Sequence, residues 1–138
     1  MNYLQCVSES ESKLLPLLLD LTNPSPDIGW NNQERDSLKQ RAPAGAVFAL
    51  ALIHHLAISN NVPFIKIAEF LHHLGKWLVI EFVPKEDPQV QQLLVSREDI
   101  FLEYNLPNFK DAFSKYFNIH QVIEITGTLR SIFLMERL

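Results

Sequence analysis

The stretch Trp77-Leu78-Val79-Ile80-Glu81-Phe82-Val83 is apolar at six of its seven positions. A run this short and continuous suits a strand buried on both faces, as in a parallel sheet. Just upstream, Pro63 opens a helix. Its apolar residues Ile65, Ala68, Phe70, Leu71 and Leu74 recur at near-helical spacing, and Gly75 stands where a terminating glycine belongs. Further upstream, Ala46-Val47-Phe48-Ala49-Leu50-Ala51-Leu52 is a second apolar run. Two such strands joined by one helix imply parallel pairing through a right-handed crossover. A third run, Leu14-Leu15-Pro16-Leu17-Leu18-Leu19-Asp20, ends in an acid, and its proline places it at an edge. Turn chemistry fills 22–32. A helix is then expected from about Gln33 to Arg41, capped by Asn31 or Asn32 and stopped by Pro43 and Gly45.

Downstream of the central strand, Asp87-Pro88 reads as a cap with a first-turn proline, so a short helix should run to about Val95. Asn108 is expected to cap another helix, with Phe109, Ala112, Phe113 and Tyr116 facing inward. Ile119 to Ile125 and Arg130 to Glu136 nearly alternate around Gly127-Thr128, a hairpin signal. The order is therefore β-α-β-α-β-α-α-β-β. It predicts a three-layer α/β domain with a mostly parallel sheet of about five strands, closed by an antiparallel hairpin. Residues 1–12, polar and rich in Ser and Glu, are expected to be a flexible tail, and 13–138 the domain.

Composition narrows the functional classes. The chain has 138 residues, 47% hydrophobic and 20% charged, as for an ordinary globule that can bury a core. Its formal net charge of -4 gives no excess of Lys and Arg for phosphate contacts, so no nucleic-acid partner is expected. The one cysteine, Cys6, can form neither an internal disulfide nor a thiolate metal site. A reducing, cytoplasmic setting is the expectation. No leader is visible in Met-Asn-Tyr-Leu-Gln, and no apolar stretch nears the roughly 20 residues that cross a bilayer.

Three stretches carry a family resemblance. Leu17-Leu18-Leu19-Asp20-Leu21-Thr22-Asn23-Pro24-Ser25-Pro26 looks like the third strand of class I S-adenosylmethionine-dependent methyltransferases and the turn after it. Ala49-Leu50-Ala51-Leu52-Ile53-His54-His55-Leu56 resembles the fourth strand and the segment that follows. Leu78-Val79-Ile80-Glu81-Phe82-Val83-Pro84-Lys85 looks like the fifth strand of a bacterial subgroup. With the closing hairpin, the likeness extends from about residue 14 to the end and covers the C-terminal half of that domain. It implies a truncated Rossmann-like methyltransferase fold. It also implies a cofactor site at the carboxyl ends of the strands. Asp20 and Leu21 would lie on the adenine side, and Leu52 and Ile53 would form the floor near the methyl group. His54 or His55 would stand beside the acceptor as a base. The chain departs from the family at Gly45-Ala46, where an acid usually opens the fourth strand. It also lacks the Gly-rich loop. Its four glycines, Gly29, Gly45, Gly75 and Gly127, are isolated. S-adenosylmethionine, the family's cofactor, is therefore not expected to bind to this chain alone.

Each site residue also has a plainer reading. Asp20 can be an acid bonding local backbone N–H groups at a strand end. His54 and His55 can be partly buried and bonded to backbone, because general-base work needs a substrate within hydrogen-bond reach. His72 and His73 are adjacent on a helix and so point to different faces; no His-x-x-x-His pair exists, and no metal site is expected. Glu81, inside an apolar run, needs a partner. Lys85 is one choice, and a substrate is another. Cys6 has no assigned role. With the family's first two strands missing, the leucine strand would lack its neighbours. It could slide in beside the 46–52 strand, or two chains could pair through the edge. Three readings stay open. The chain is an inactive half-domain, an enzyme completed by a second chain bearing the N-terminal half, or an interaction module reusing the fold.

Overall fold

The computed structural model describes residues 17–95 and 98–138. The expected tail, 1–12, lies outside them. The described sheet has four strands: β1 (Ala44–Ala49), β2 (Gly75–Phe82), β3 (Phe117–Glu124) and β4 (Ser131–Arg137). Their spatial order is β1-β2-β4-β3. β1 and β2 run parallel, with Val47 opposite Leu78 and Ala49 opposite Ile80. β4 lies antiparallel to β2, pairing Met135 with Leu78 and Phe133 with Ile80. β3 completes the hairpin on the outer side of β4, with a register shift between Ile119 and Gln121.

Three helices accompany the sheet: α1 (Phe64–Leu74), α2 (Pro88–Leu94) and α3 (Leu106–Ser114). In α1 the buried residues Phe64, Ile67, Ala68, Leu71 and Leu74 form one stripe. In α3 they are Phe109, Ala112 and Phe113. These stripes meet the sheet face that carries Leu78, Ile80, Phe82, Phe133 and Met135, all buried. Phe109 binds this core together. Its ring lies 4.4 Å from Phe113, 5.0 Å from Phe82 and 5.1 Å from Phe133 between centroids. Tyr104 seals one end by donating its hydroxyl to the Val83 carbonyl at 2.6 Å.

Both predicted cap chemistries appear, one of them displaced. Asp87 caps α2 by accepting from Gln89 N, with Pro88 in the first turn. α3 is capped by Asn105, not Asn108; the Asn105 side chain accepts from Asn108 N at 3.0 Å. Gly75 does not cap α1 in a left-handed conformation. It is extended (φ -157°) and is the first residue of β2.

The N-terminal expectations fare worse. Leu14, Leu15 and Pro16 lie outside the described residues, and Leu17 to Asp20 form no strand and are exposed. The described sheet thus has four strands where about five were expected. A strand forms only against a ladder partner, and among the described residues nothing pairs with this one. The expected helix over 33–41 is also absent. Leu38 is the one aliphatic residue in Gln33–Arg41, so no apolar stripe could dock a helix there. Instead Ile28 bridges Arg35, Asp27 Oδ1 accepts from Ser37 N at 2.6 Å, and a turn closes from Ser37 to Arg41.

The layering differs as well. α1 and α3 cover one sheet face. On the other, in register, stand Phe48, Val79 and Leu134, flanked by Trp77, Ile132 and Ile123. Phe48 is 69% exposed and Ile123 51%. Trp77, Val79, Ile132 and Leu134 are half-buried. Among the described residues no helix lies over them.

Candidate functional site

A site begins where β1 and β2 end, because strand termini in α/β sheets bring backbone and side chains to one mouth. β1 stops at Ala49. Two residues later Ala51 has φ 50°. That is the left-handed region, which costs a non-glycine residue free energy and occurs where surrounding contacts over-determine it. The contact responsible is Glu81 at the end of β2, whose Oε2 accepts the Ala51 N–H at 2.7 Å. Glu81 is buried, as the apolar run around it requires. Its other oxygen, Oε1, accepts from Arg130 Nη1 at 3.2 Å.

Arg130 comes from the hairpin turn, immediately before β4. Its guanidinium also grips Asp87, with Nε to Oδ2 at 2.7 Å and Nη2 to Oδ1 at 3.0 Å. Such a paired geometry is the strong form of an Arg–carboxylate contact. Arg130 thereby joins three elements: the end of β2, the cap of α2 and the start of β4. The Arg130 hydrogen bond holds the Asp87 carboxyl below the usual range, and the two carboxylates raise the guanidinium further. Lys85, the cation expected to pair with Glu81, instead binds Asp99 at 2.8 Å. Arg130 takes that place.

His54 lies beside this network. It is 1% exposed, and neither ring nitrogen has a hydrogen-bond partner among the described residues. Burial pushes its pKa down to about 4. The nearby charges of His55 and Arg130 push the same way, while Asp87 and Glu81 oppose them. At neutral pH it is an uncharged imidazole. The His55 ring stacks obliquely, 4.2 Å away, and is exposed. Ile53 is buried next to them and Leu52 is half-buried. From His55 the chain makes a π-helical turn, His55–Ser59, with His54 at its N-cap.

The structure thus gathers Leu52, Ile53, His54, His55 and Glu81 at one mouth. It does not bring Asp20 and Leu21 into that network. The Asp20 carboxylate is exposed and accepts from Thr22 N at 2.9 Å and Thr22 Oγ1 at 2.6 Å, which lower its pKa. With Leu21 it lines a separate shallow groove bounded by Pro24, Arg35 and Arg41. His72 and His73 stand elsewhere, near Tyr116 and Glu69. Among the described residues no three His, Cys, Asp or Glu side chains converge for a metal ion. Arg130 and the left-handed Ala51 escaped sequence reading. Arg130 looks like an ordinary strand residue, and nothing local marks Ala51.

The mouth is formed by the left-handed Ala51 turn, half-buried Leu52 and buried Ile53 and His54. It lacks a glycine-lined backbone on which the amino-acid end of S-adenosylmethionine could rest, since the four glycines are scattered singly. The residues present therefore do not suffice for that cofactor, and no catalytic step follows from them alone.

The chain is 41% identical over 129 residues to nodulation protein NoeA of Rhizobium meliloti (strain 1021). The match takes in 94% of this chain and 27% of the relative, so the chain spans about a quarter of that protein's length. No family model matches the chain, and no solved structure does. Among the described residues no helix is long and apolar enough to cross a membrane.

Proposed function

We propose that the chain is the C-terminal half of a class I S-adenosylmethionine-dependent methyltransferase domain, inactive by itself. The observation that carries this reading is the strand order. Two parallel strands followed by a hairpin whose last strand inserts next to the second give β1-β2-β4-β3. That order fits the C-terminal half of the family's sheet, and the resemblance assigns Leu52 to His55 to the methyl-side floor at the strands' carboxyl ends. In a completed domain Leu52 and Ile53 support the cofactor and His54 or His55 faces the acceptor. Glu81 and Arg130 hold the backbone turn between them. The bound cofactor would supply the electrophilic methyl group.

Titration calorimetry with S-adenosylmethionine tests the first claim. The isolated chain should show no binding tighter than about 100 µM, roughly -5.5 kcal/mol. Tighter binding to a single chain ends the reading of an inactive half. A second reading has its own support. The relative is far longer than the matched stretch, so polypeptide outside that stretch has room to carry the Gly-rich loop and complete the site.

A further inference from the structure

The open sheet face and the free edge of β1 meet at the mouth of the site. β1 pairs on one side with β2, and among the described residues no strand occupies its other side. The uncovered face carries Phe48, Trp77, Val79, Ile132, Leu134 and Ile123. Phe48 and Ile123 are exposed, the other four are half-buried, and Gln121 and Glu136 share the face; exposed apolar surface of this kind marks a binding site. An unpaired edge is a template for another strand.

The geometry restricts what can cover both. α1 connects β1 to β2 and lies on the opposite, covered face. A right-handed crossover series that winds the other way from β1 places its helices on the uncovered face. One αβ unit can therefore add a strand parallel to β1 and lay its helix on Phe48, Val79 and Leu134. In such a doubly wound arrangement the ligand sits between β1 and the added strand. The left-handed turn at Ala51, two residues after β1, lies at the carboxyl end of that edge strand. About three quarters of the rhizobial relative lies outside the stretch matched here, ample for such a unit.

We infer that this face and edge are a docking seam for an αβ half-domain supplied by polypeptide outside the matched stretch, not for a second copy of the chain. The inference rests on the methyltransferase reading for what the partner brings, and on the fold for where it sits.

Co-expression of this chain with the remainder of the rhizobial relative, lacking its matched stretch, tests it. A 1:1 complex should co-purify. Hydrogen exchange should show the outward amides of β1 fast in the isolated chain and at least tenfold slower in the complex. Phe48→Lys should weaken the complex at least tenfold. Leu102→Lys, at an exposed residue away from the seam, should leave it unchanged. Failure to co-purify overturns the inference. So does a complex indifferent to Phe48→Lys, or an isolated chain that is already a dimer with those amides protected. A complex that forms with these signatures but takes up no S-adenosylmethionine upholds the seam and ends the methyltransferase reading.

Discussion

His54 poses the sharpest physical question in the molecule. A buried imidazole with two unpartnered nitrogens costs about 1–3 kcal/mol relative to a satisfied group. Its folded pKa of about 4 lies below its ordinary value of 6.5. The unfolded chain therefore binds more protons than the folded one between those values, and stability rises with pH across that window. The change from pH 6.5 to pH 4 should be on the order of 3 kcal/mol, with a plateau above. The Asp87 carboxyl is also lowered, but its loss comes at more acid pH, as its folded-state value is crossed. His54→Leu should leave stability at pH 7 equal or higher and flatten the slope between pH 4 and 6.5 in urea titrations. A Leu variant with the original slope would mean that another group is responsible. The sequence could name this histidine but not its condition. Its charged neighbours Glu81 and Arg130 lie 27 and 76 positions further along, so its surroundings are set by tertiary folding.

At the level of elements, two helix caps make a controlled comparison. Asn105 caps α3 by accepting from Asn108 N, donates its Nδ2 to the Leu102 carbonyl, and is only half-buried. Asn105→Ala should cost about 1 kcal/mol. Asp87 also caps α2, but it holds Arg130 as well. Asp87→Ala leaves the guanidinium with Glu81 alone in a largely buried place, and should cost about 3 kcal/mol or more. Equal losses by chemical denaturation would show that the ion pair adds nothing. Sequence patterning located β2, α1, α2 and the hairpin because each combines strong periodicity with local stop signals. It failed for 17–20 and 33–41 because neither stretch can dictate its own partner. A run of leucines becomes a strand only when a neighbouring strand accepts its hydrogen bonds. A polar stretch with a single leucine has no face to dock. The carboxyl-end cluster was partly legible for the same reason. Leu52 to His55 follow one strand directly, whereas Arg130 reaches the site through tertiary folding alone.

For the whole molecule, the decisive asymmetry is a sheet with one covered face. A domain that buries both faces reads as continuous apolar strands, and β1 and β2 do read so. Yet Phe48 is exposed, and Val79 and Leu134 are only half-buried. The sequence of β1 and β2 thus fits three layers while the described chain supplies two. That mismatch holds among the described residues, and it should be measurable without any partner. A fluorescent hydrophobic dye such as anilinonaphthalene sulfonate should bind the native chain at neutral pH. Binding should fall at least severalfold in Phe48→Lys, with no change in far-ultraviolet circular dichroism. A parallel change at Leu102, exposed on the loop before α3, should matter little, since a lone surface leucine is no patch. Dye binding that disappears at low protein concentration would point to trapping between associated chains. Binding that persists on dilution and follows Phe48 would place the missing layer over β1 and β2, where the strand pattern calls for it.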